Sequence, residues 1–266
     1  MENYNVGGYD IRIVQKKMLD ILIEVDRVCQ ENNIKYVLDS GTLLGAVRHE
    51  GFIPWDDDID IAMLREDYEK FCKIANHVLK KPYYFECEKD NEEFPNIFGK
   101  CFDLDTKVTL KKKSKHLKFP HSIWLDIFPV DNIIPEHKNM QCRLVASINM
   151  VRCLKLKTEK ICKRHILYAP LFFLPMSTLN CLADKIMKKY LNIKTEYVCP
   201  ICQSGINKPV FKRSMFTNTH YAKFETYQFP IPDEYMEYLK GYYSRPMELP
   251  PESSRHPTHG VEEIKV

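Results

Sequence analysis

Ser40-Gly-Thr-Leu-Leu-Gly-Ala-Val-Arg-His-Glu-Gly-Phe-Ile-Pro-Trp-Asp-Asp-Asp-Ile-Asp-Ile61 is the stretch that decides the reading of this chain. It opens on a small-residue pair, Gly41-Thr42, and passes a basic residue, Arg48. It closes with four carboxylates in five positions: Asp56, Asp57, Asp58 and Asp60. Apolar and charged residues alternate from Asp58 to Ile61. That predicts a strand with Asp58 and Asp60 on one face and Ile59 and Ile61 turned into a core. Two neighbouring carboxylates repel each other unless a cation lies between them. Oxygen ligands of this kind suit Mg²⁺, which commonly pairs one or two carboxylates with substrate phosphates. A solvated acidic loop leaves Ile59, Ile61 and Met63 unexplained. An EF-hand loop starting at Asp56 would need Gly where Ile61 stands and Glu where Asp67 stands. A turn held by Asp caps is the remaining structural alternative.

Upstream, Gly41-Thr42 falls between a short strand at 36–38 and a short helix expected over 43–47. Glycine lets backbone approach a ligand closely, and a helix N-terminus offers free N–H groups to a phosphate. The same residues also serve as ordinary helix caps. Arg48 could hold a phosphate or balance the carboxylates, and Lys100 could reach the same place. Two-metal phosphoryl chemistry calls for a third carboxylate from a separate strand. Asp126 fits, since it is embedded in the apolar run Ile123-Trp-Leu-Asp-Ile-Phe128, where an unpaired charge is costly to bury. An Arg partner or backbone N–H groups would satisfy it as well. Asp131, just past Pro129, reads as a cap or turn residue.

The 266 residues suffice for one large domain, or for a catalytic domain with a smaller helical companion. Hydrophobic content of 44% and charged content of 28% are those of an ordinary globular protein. A net charge of +3 is too small to imply nucleic-acid binding, and none is expected. Ile11, Val14, Met18, Leu22, Val25 and Cys29 recur at helical steps and predict a first helix. A second carries Tyr68, Phe71, Cys72, Ala75, Val78 and Leu79 and stops at Pro82. Strands are expected at 83–86, 98–102 and 123–128. Helices follow, one with Met140, Leu144, Ile148 and Val151 on a face, another with Leu179, Leu182, Ala183, Ile186, Met187 and Tyr190. A short last helix should run from Pro232 to Gly241. The expected fold is α+β, a mixed sheet flanked by helices with a helical C-terminal part.

Ten cysteines occur at irregular spacing, and Met1-Glu-Asn-Tyr-Asn5 lacks the basic start and apolar run of a signal peptide. Reduced thiols and a cytoplasmic location are therefore expected. Cys199-Pro-Ile-Cys202 has the spacing of half a zinc site, which Cys162 and His165 could complete; one such pair is weak evidence, and free thiols are the expectation. The apolar run 166–176, flanked by lysines, is too short and too Pro-broken to span a bilayer. It could contact the inner face of a membrane, with core packing as the competing reading. Lys111-Lys-Lys-Ser-Lys115 reads as a solvated loop.

Gly41-Thr-Leu-Leu-Gly-Ala-Val-Arg-His49 and Ile53-Pro-Trp-Asp-Asp-Asp-Ile-Asp-Ile61 together resemble the signature of the LicD family, phosphotransferases of the nucleotidyltransferase superfamily related to fukutin. Trp124-Leu-Asp-Ile-Phe-Pro-Val-Asp131 resembles its second acidic motif. Phe224-Glu225 and Met247-Glu-Leu-Pro-Pro251, with His259 beyond, resemble its C-terminal elements more loosely, and Ser244 stands where a Gly is expected. The resemblance implies a nucleotidyltransferase-like core over 1–135 and a mainly helical region over 136–266 packed on it. It implies Asp58, Asp60 and Asp126 as the metal-binding carboxylates, with Gly41, Thr42, Arg48 and Lys100 around the substrate. It also implies transfer of a phospho-alcohol, phosphocholine first, from a CDP-activated donor to a sugar hydroxyl of a surface glycan, with two Mg²⁺ ions and release of CMP. The alternatives are a nucleotidyltransferase that attaches NMP from an NTP, and a non-catalytic nucleotide- or glycan-binding protein.

Overall fold

The computed structural model describes residues 4–6, 8–110, 115–160, 162, 165, 168–203, 207–259 and 261–266. Most of the 111–115 run and two residues of the apolar stretch 166–176 lie outside them. A small hairpin, β1 (Asn5–Val6) and β2 (Tyr9–Asp10), leads into α1 (Ile11–Glu31). Asp10 caps that helix, its carboxylate accepting the Arg12 N–H at 2.8 Å. The six residues that mark its helical period are all buried. They pack on the sheet, where each buried aliphatic side chain contributes roughly 1.5–3 kcal/mol.

Next come β3 (Val37–Leu38), α2 (Ser40–His49), β4 (Asp60–Leu64) and α3 (Arg65–Val78). Then follow β5 (Tyr83–Glu86), β6 (Gly99–Asp103), β7 (Lys107–Leu110) and β8 (Ile123–Asn132). Helices α4 (Pro135–Lys155), α5 (Ala169–Phe172) and α6 (Met176–Met187) succeed them. The chain ends with β9 (Tyr197–Cys199), β10 (Phe211–Lys212), the hairpin β11 (Thr219–Phe224) and β12 (Tyr227–Pro232), α7 (Tyr235–Tyr242) and β13 (Val261–Lys265). The architecture is mixed α+β. Past 190 it is richer in strands than the sequence pattern suggested, because strands of two to six residues carry too little periodicity to be seen.

β8 organises the sheet. All ten of its residues are buried. It pairs parallel with β4, and antiparallel first with β6 and then, past Pro129, with β9. The order runs β10-β9-β8-β4-β3, with β5 and β6 branching from β8. Two strands of the C-terminal half thus extend the same sheet as the acid-bearing strands. Helices α1 and α3 both pack against β8. At its far end Asp131 is no turn residue. It accepts from Arg65 Nε at 2.7 Å and Nη2 at 2.9 Å, both side chains fully buried, and this ties α3 to the sheet. The helix expected at 43–47 begins earlier, at Ser40, so Gly41 and Thr42 lie inside its first turn. No helix of the described residues is long and apolar enough to cross a membrane.

Candidate active site

Strand β4 begins at Asp60, so Asp58 belongs to the loop before it. The ladder extends one residue further, with the Asp126 N–H donating to the Ile59 carbonyl at 2.9 Å. In register, Asp60 stands directly opposite Asp126. On the other side of β8, Lys100 of β6 is the partner of Asp126 and forms a buried ion pair with it. The Lys100 Nζ also lies 4.6 Å from the Trp124 ring centroid and 5.5 Å from that of Phe98. Lys100, which one could take for a surface lysine, is therefore part of the acid cluster.

Helix α2 supports the cluster from below. The Thr42 hydroxyl accepts the Asp60 N–H at 2.8 Å, fixing where β4 starts. A Cβ on Gly41 would sit 2.8 Å from Asp56 Oδ2, so any larger residue there would displace that carboxylate. Asp39, preceding the helix, is fully buried. It accepts from the hydroxyls of Tyr238 at 2.8 Å and Tyr242 at 3.3 Å, which fastens α7 to the site. Gln203 Nε2 donates to the same carboxylate at 3.3 Å.

The C-terminal segment closes the cluster from above. Backbone N–H groups of Thr258 and His259 donate to Asp57 at 3.0 and 3.1 Å. The His259 ring then bridges two acids, Nδ1 to Asp57 at 2.9 Å and Nε2 to Asp58 at 3.0 Å. Both ring nitrogens face carboxylates, so both donate and the imidazole is charged. Burial works against that charge, but the bonds to Asp57 and Asp58 outweigh it and push the ring up to about 11. Strand β13, paired with β7, anchors this segment.

The four acids respond differently to the crowding. Burial, joined by the charges of Asp58 and Asp126, pushes Asp60 well above the usual carboxylate range. Burial and Asp58 do the same to Asp56. Asp126 is raised by burial against the pull of Lys100. In Asp58 burial is overcome by His259, which holds the carboxyl below its ordinary value. Carboxyls pushed apart in this way mark a site built for chemistry or for a cation.

Asp60 Oδ1 is buried and has no hydrogen-bond partner. Together with Asp58 and Asp126 it offers hard oxygens of the type that suit Mg²⁺. Among the described residues no three Asp, Glu, His or Cys side chains are grouped at ligand spacing around one point. Instead Lys100 and His259 supply the counter-charge, so a metal held here would compete with them for Asp126 and Asp58. The cysteines are distributed otherwise: Cys199 lies beside Cys142, and Cys162 beside His165 at 3.6 Å.

Beside the acids opens a cleft of about 580 Å³, lined by Gly41, Arg48, Trp55, Asp56, Tyr243 and Pro246 among others. That volume is in the range of small-molecule sites. Arg48 Nη1 donates to the carbonyls of Pro246 and Glu248, both at 3.0 Å, which joins α2 to the far wall. The structure thus sets Asp60 opposite Asp126, Lys100 on Asp126 and Asp58 in the loop just before Asp60, with Thr42 behind Asp60. Gly41 and Arg48 lie on the adjoining cleft. Sequence reasoning gave no roles to Asp57 and Asp39, because their partners come from 258–259 and from α7.

The family described as "LicD/FKTN/FKRP, nucleotidyltransferase domain" matches residues 33–142, from just before β3 to the first turns of α4. The chain is 31% identical to the lipopolysaccharide cholinephosphotransferase LicD of Haemophilus influenzae over 263 residues, which is 94% of this chain and 96% of that protein. It is 51% identical over 126 residues to the uncharacterized protein RP689 of Rickettsia prowazekii, 43% of this chain and 46% of that one. Over 40 residues it is 45% identical to the human ribitol 5-phosphate transferase FKRP, 15% of this chain and 8% of that protein. With its paired acids on β4 and β8 and a relative matched along almost its whole length, the chain belongs to the LicD family of phosphotransferases.

Proposed function

We propose that this chain transfers a phospho-alcohol, phosphocholine first, from a CDP-activated donor to a sugar hydroxyl of a surface polysaccharide, with release of CMP. The observation that carries this reading is the buried, unpartnered oxygen of Asp60 in register with Asp126, beside an open cleft. Phosphoryl transfer asks for positioning and charge neutralisation more than for covalent help, and this arrangement suits that demand. The full-length similarity to a lipopolysaccharide cholinephosphotransferase supports choline as the alcohol and a glycan as the acceptor.

Asp58, Asp60 and Asp126 would hold the metal, two Mg²⁺ ions in this reading. When bound, magnesium supplies charge neutralisation at the pyrophosphate and lowers the pKa of an attacking hydroxyl. The chain's own groups do the rest. Arg48 on the cleft wall attracts the anionic donor, and Gly41 keeps the floor open beside Asp56. Trp55, with the Arg255 guanidinium 5.7 Å from its ring centroid, and Tyr243 line the cleft where a cytosine ring or an alkylammonium head group would lie. Asp126, its charge steadied by Lys100, is the candidate to accept the acceptor hydroxyl's proton.

The test is CMP release from CDP-choline, CDP-ethanolamine, CDP-glycerol and CDP-ribitol, each with a glycan acceptor and with or without Mg²⁺. Metal-dependent release with one donor, and the matching mass gain on the glycan, is the expected result. Pyrophosphate release from an NTP, with none of the CDP-alcohols consumed, would replace this reading with nucleotidyl transfer.

A further inference from the structure

Of the 169–176 stretch, Leu171, Leu174 and Met176 pack against the core. The stretch forms the short helix α5 and the turn into α6, and between those anchors it turns two rings outward: Phe173 is 87% exposed and Phe172 42%. Ala169, Pro170 and Pro175 are exposed beside them. No charged residue occurs in the sequence between His165 and Asp184, so the projection is uniformly uncharged. Its backbone is nevertheless fastened. Lys155, at the end of α4, donates to the carbonyls of Phe172 at 3.1 Å and Leu174 at 2.6 Å. The Lys155 ammonium also lies 5.4 Å from the Phe172 ring centroid, which leaves Phe173 the ring most open to water, and burying such a ring contributes roughly 1.5–3 kcal/mol.

The surroundings say what covers it. Lys157 and Lys160 follow Lys155 and are exposed. The His116 ring bonds the Leu156 carbonyl at 2.7 Å, which brings the loop carrying the exposed Lys115 and Lys118 alongside. The carboxylates nearby are Glu159, Glu93, 3.8 Å from Lys118, and Glu262, 2.6 Å from Lys115. Lys115 and Lys118 are paired with Glu262 and Glu93, so the positive edge is the end of α4, where Lys155, Lys157 and Lys160 stand against Glu159.

We propose that this projection docks the protein on an anionic lipid surface, the Phe172 and Phe173 rings entering the acyl boundary and the lysines meeting the headgroups. An apolar tip without charges, flanked by the cationic end of α4, fits a bilayer. Such docking is independent of the donor chosen above. It does not depend on turnover.

Co-sedimentation with vesicles of phosphatidylcholine, alone or mixed with phosphatidylglycerol, tests it. The full chain should bind the mixed vesicles and lose that binding as salt is raised. F172S/F173S should weaken binding by more than roughly tenfold, and K157E/K160E by roughly tenfold at low salt. Both variants alter exposed side chains, and unchanged thermal unfolding would show that they fold. In F173W, tryptophan emission should shift to the blue with mixed vesicles, beyond any change in the unsubstituted chain. Binding to neither vesicle, or undiminished binding by F172S/F173S, would overturn the proposal. So would self-association abolished in F172S/F173S without any vesicle binding, which would assign the tip to a second copy of the chain.

Discussion

Asp60 and Asp126 stand opposite each other across the parallel β4–β8 ladder, and only Asp126 has a cation of its own, Lys100. Two acids in matched positions are therefore unequal in charge balance. Replacing either should remove activity, but the folded protein should tolerate the two losses differently.

Asp60→Asn relieves repulsion from Asp58 and Asp126 and should leave stability unchanged or slightly raised. Asp126→Asn strands a buried ammonium. It should cost about 2–3 kcal/mol, below the roughly 3–5 kcal/mol for a fully enclosed pair, because Lys100 keeps the Trp124 and Phe98 rings. Urea unfolding compares the two, and turnover should fall roughly 10²–10³-fold in both. Equal stabilities would contradict the unequal pairing.

Thr42 acts through Asp60. Thr42→Val keeps the shape but leaves the Asp60 N–H without its acceptor, at a cost of about 1–3 kcal/mol. Thr42→Ser retains the hydroxyl and should restore both stability and turnover. If serine fails to rescue, the hydroxyl is not what matters.

The His259 bridge makes stability depend on pH in a defined direction. Its folded pKa is raised, to about 11, above the ordinary value of 6.5. The stabilisation is thus complete below pH 6.5 and is lost as pH rises toward 11. Asp58, held low, adds a contribution present above its ordinary 3.8 and lost as pH falls below that. The difference in Tm between the unsubstituted chain and His259→Gln should therefore be largest near pH 5–6 and shrink by pH 10. A difference that does not vary with pH would mean the ring is uncharged.

Arg65 and Asp131 form the other enclosed pair, away from the cleft. Asp131→Leu should destabilise by roughly 3–5 kcal/mol, while the double change Arg65→Met/Asp131→Leu should cost much less than Arg65→Met and Asp131→Leu added. Guanidinium unfolding of the four proteins gives the cycle. Simple additivity would rule out the pairing.

Much of this was legible in the residues. The six apolar positions of α1 repeat at three and four, and such a period has one structural meaning. Asp58-Ile59-Asp60-Ile61 carried the alternation of a strand, although the strand itself begins only at Asp60. Asp126 stood out because a lone acid in an apolar strand needs a partner. The partner was harder to see, since Lys100 meets it through sheet register, which no local pattern encodes. Asp131 misled for a related reason: next to Pro129 it looked like a turn, but its Arg lies 66 positions away. The outward Phe172 and Phe173 could not be told from core residues by composition.

Asp57 is synthesised 202 residues before the imidazole that balances it. While β4 and β8 emerge from the ribosome, their acids are together with Lys100 alone against them. The sheet can close over that imbalance only with protons, or with dissolved cations standing in. The charge balance is therefore completed only once residue 259 has been made. A nascent chain interrupted after β12 would have the strands and the cleft floor but not the bridge between Asp57 and Asp58.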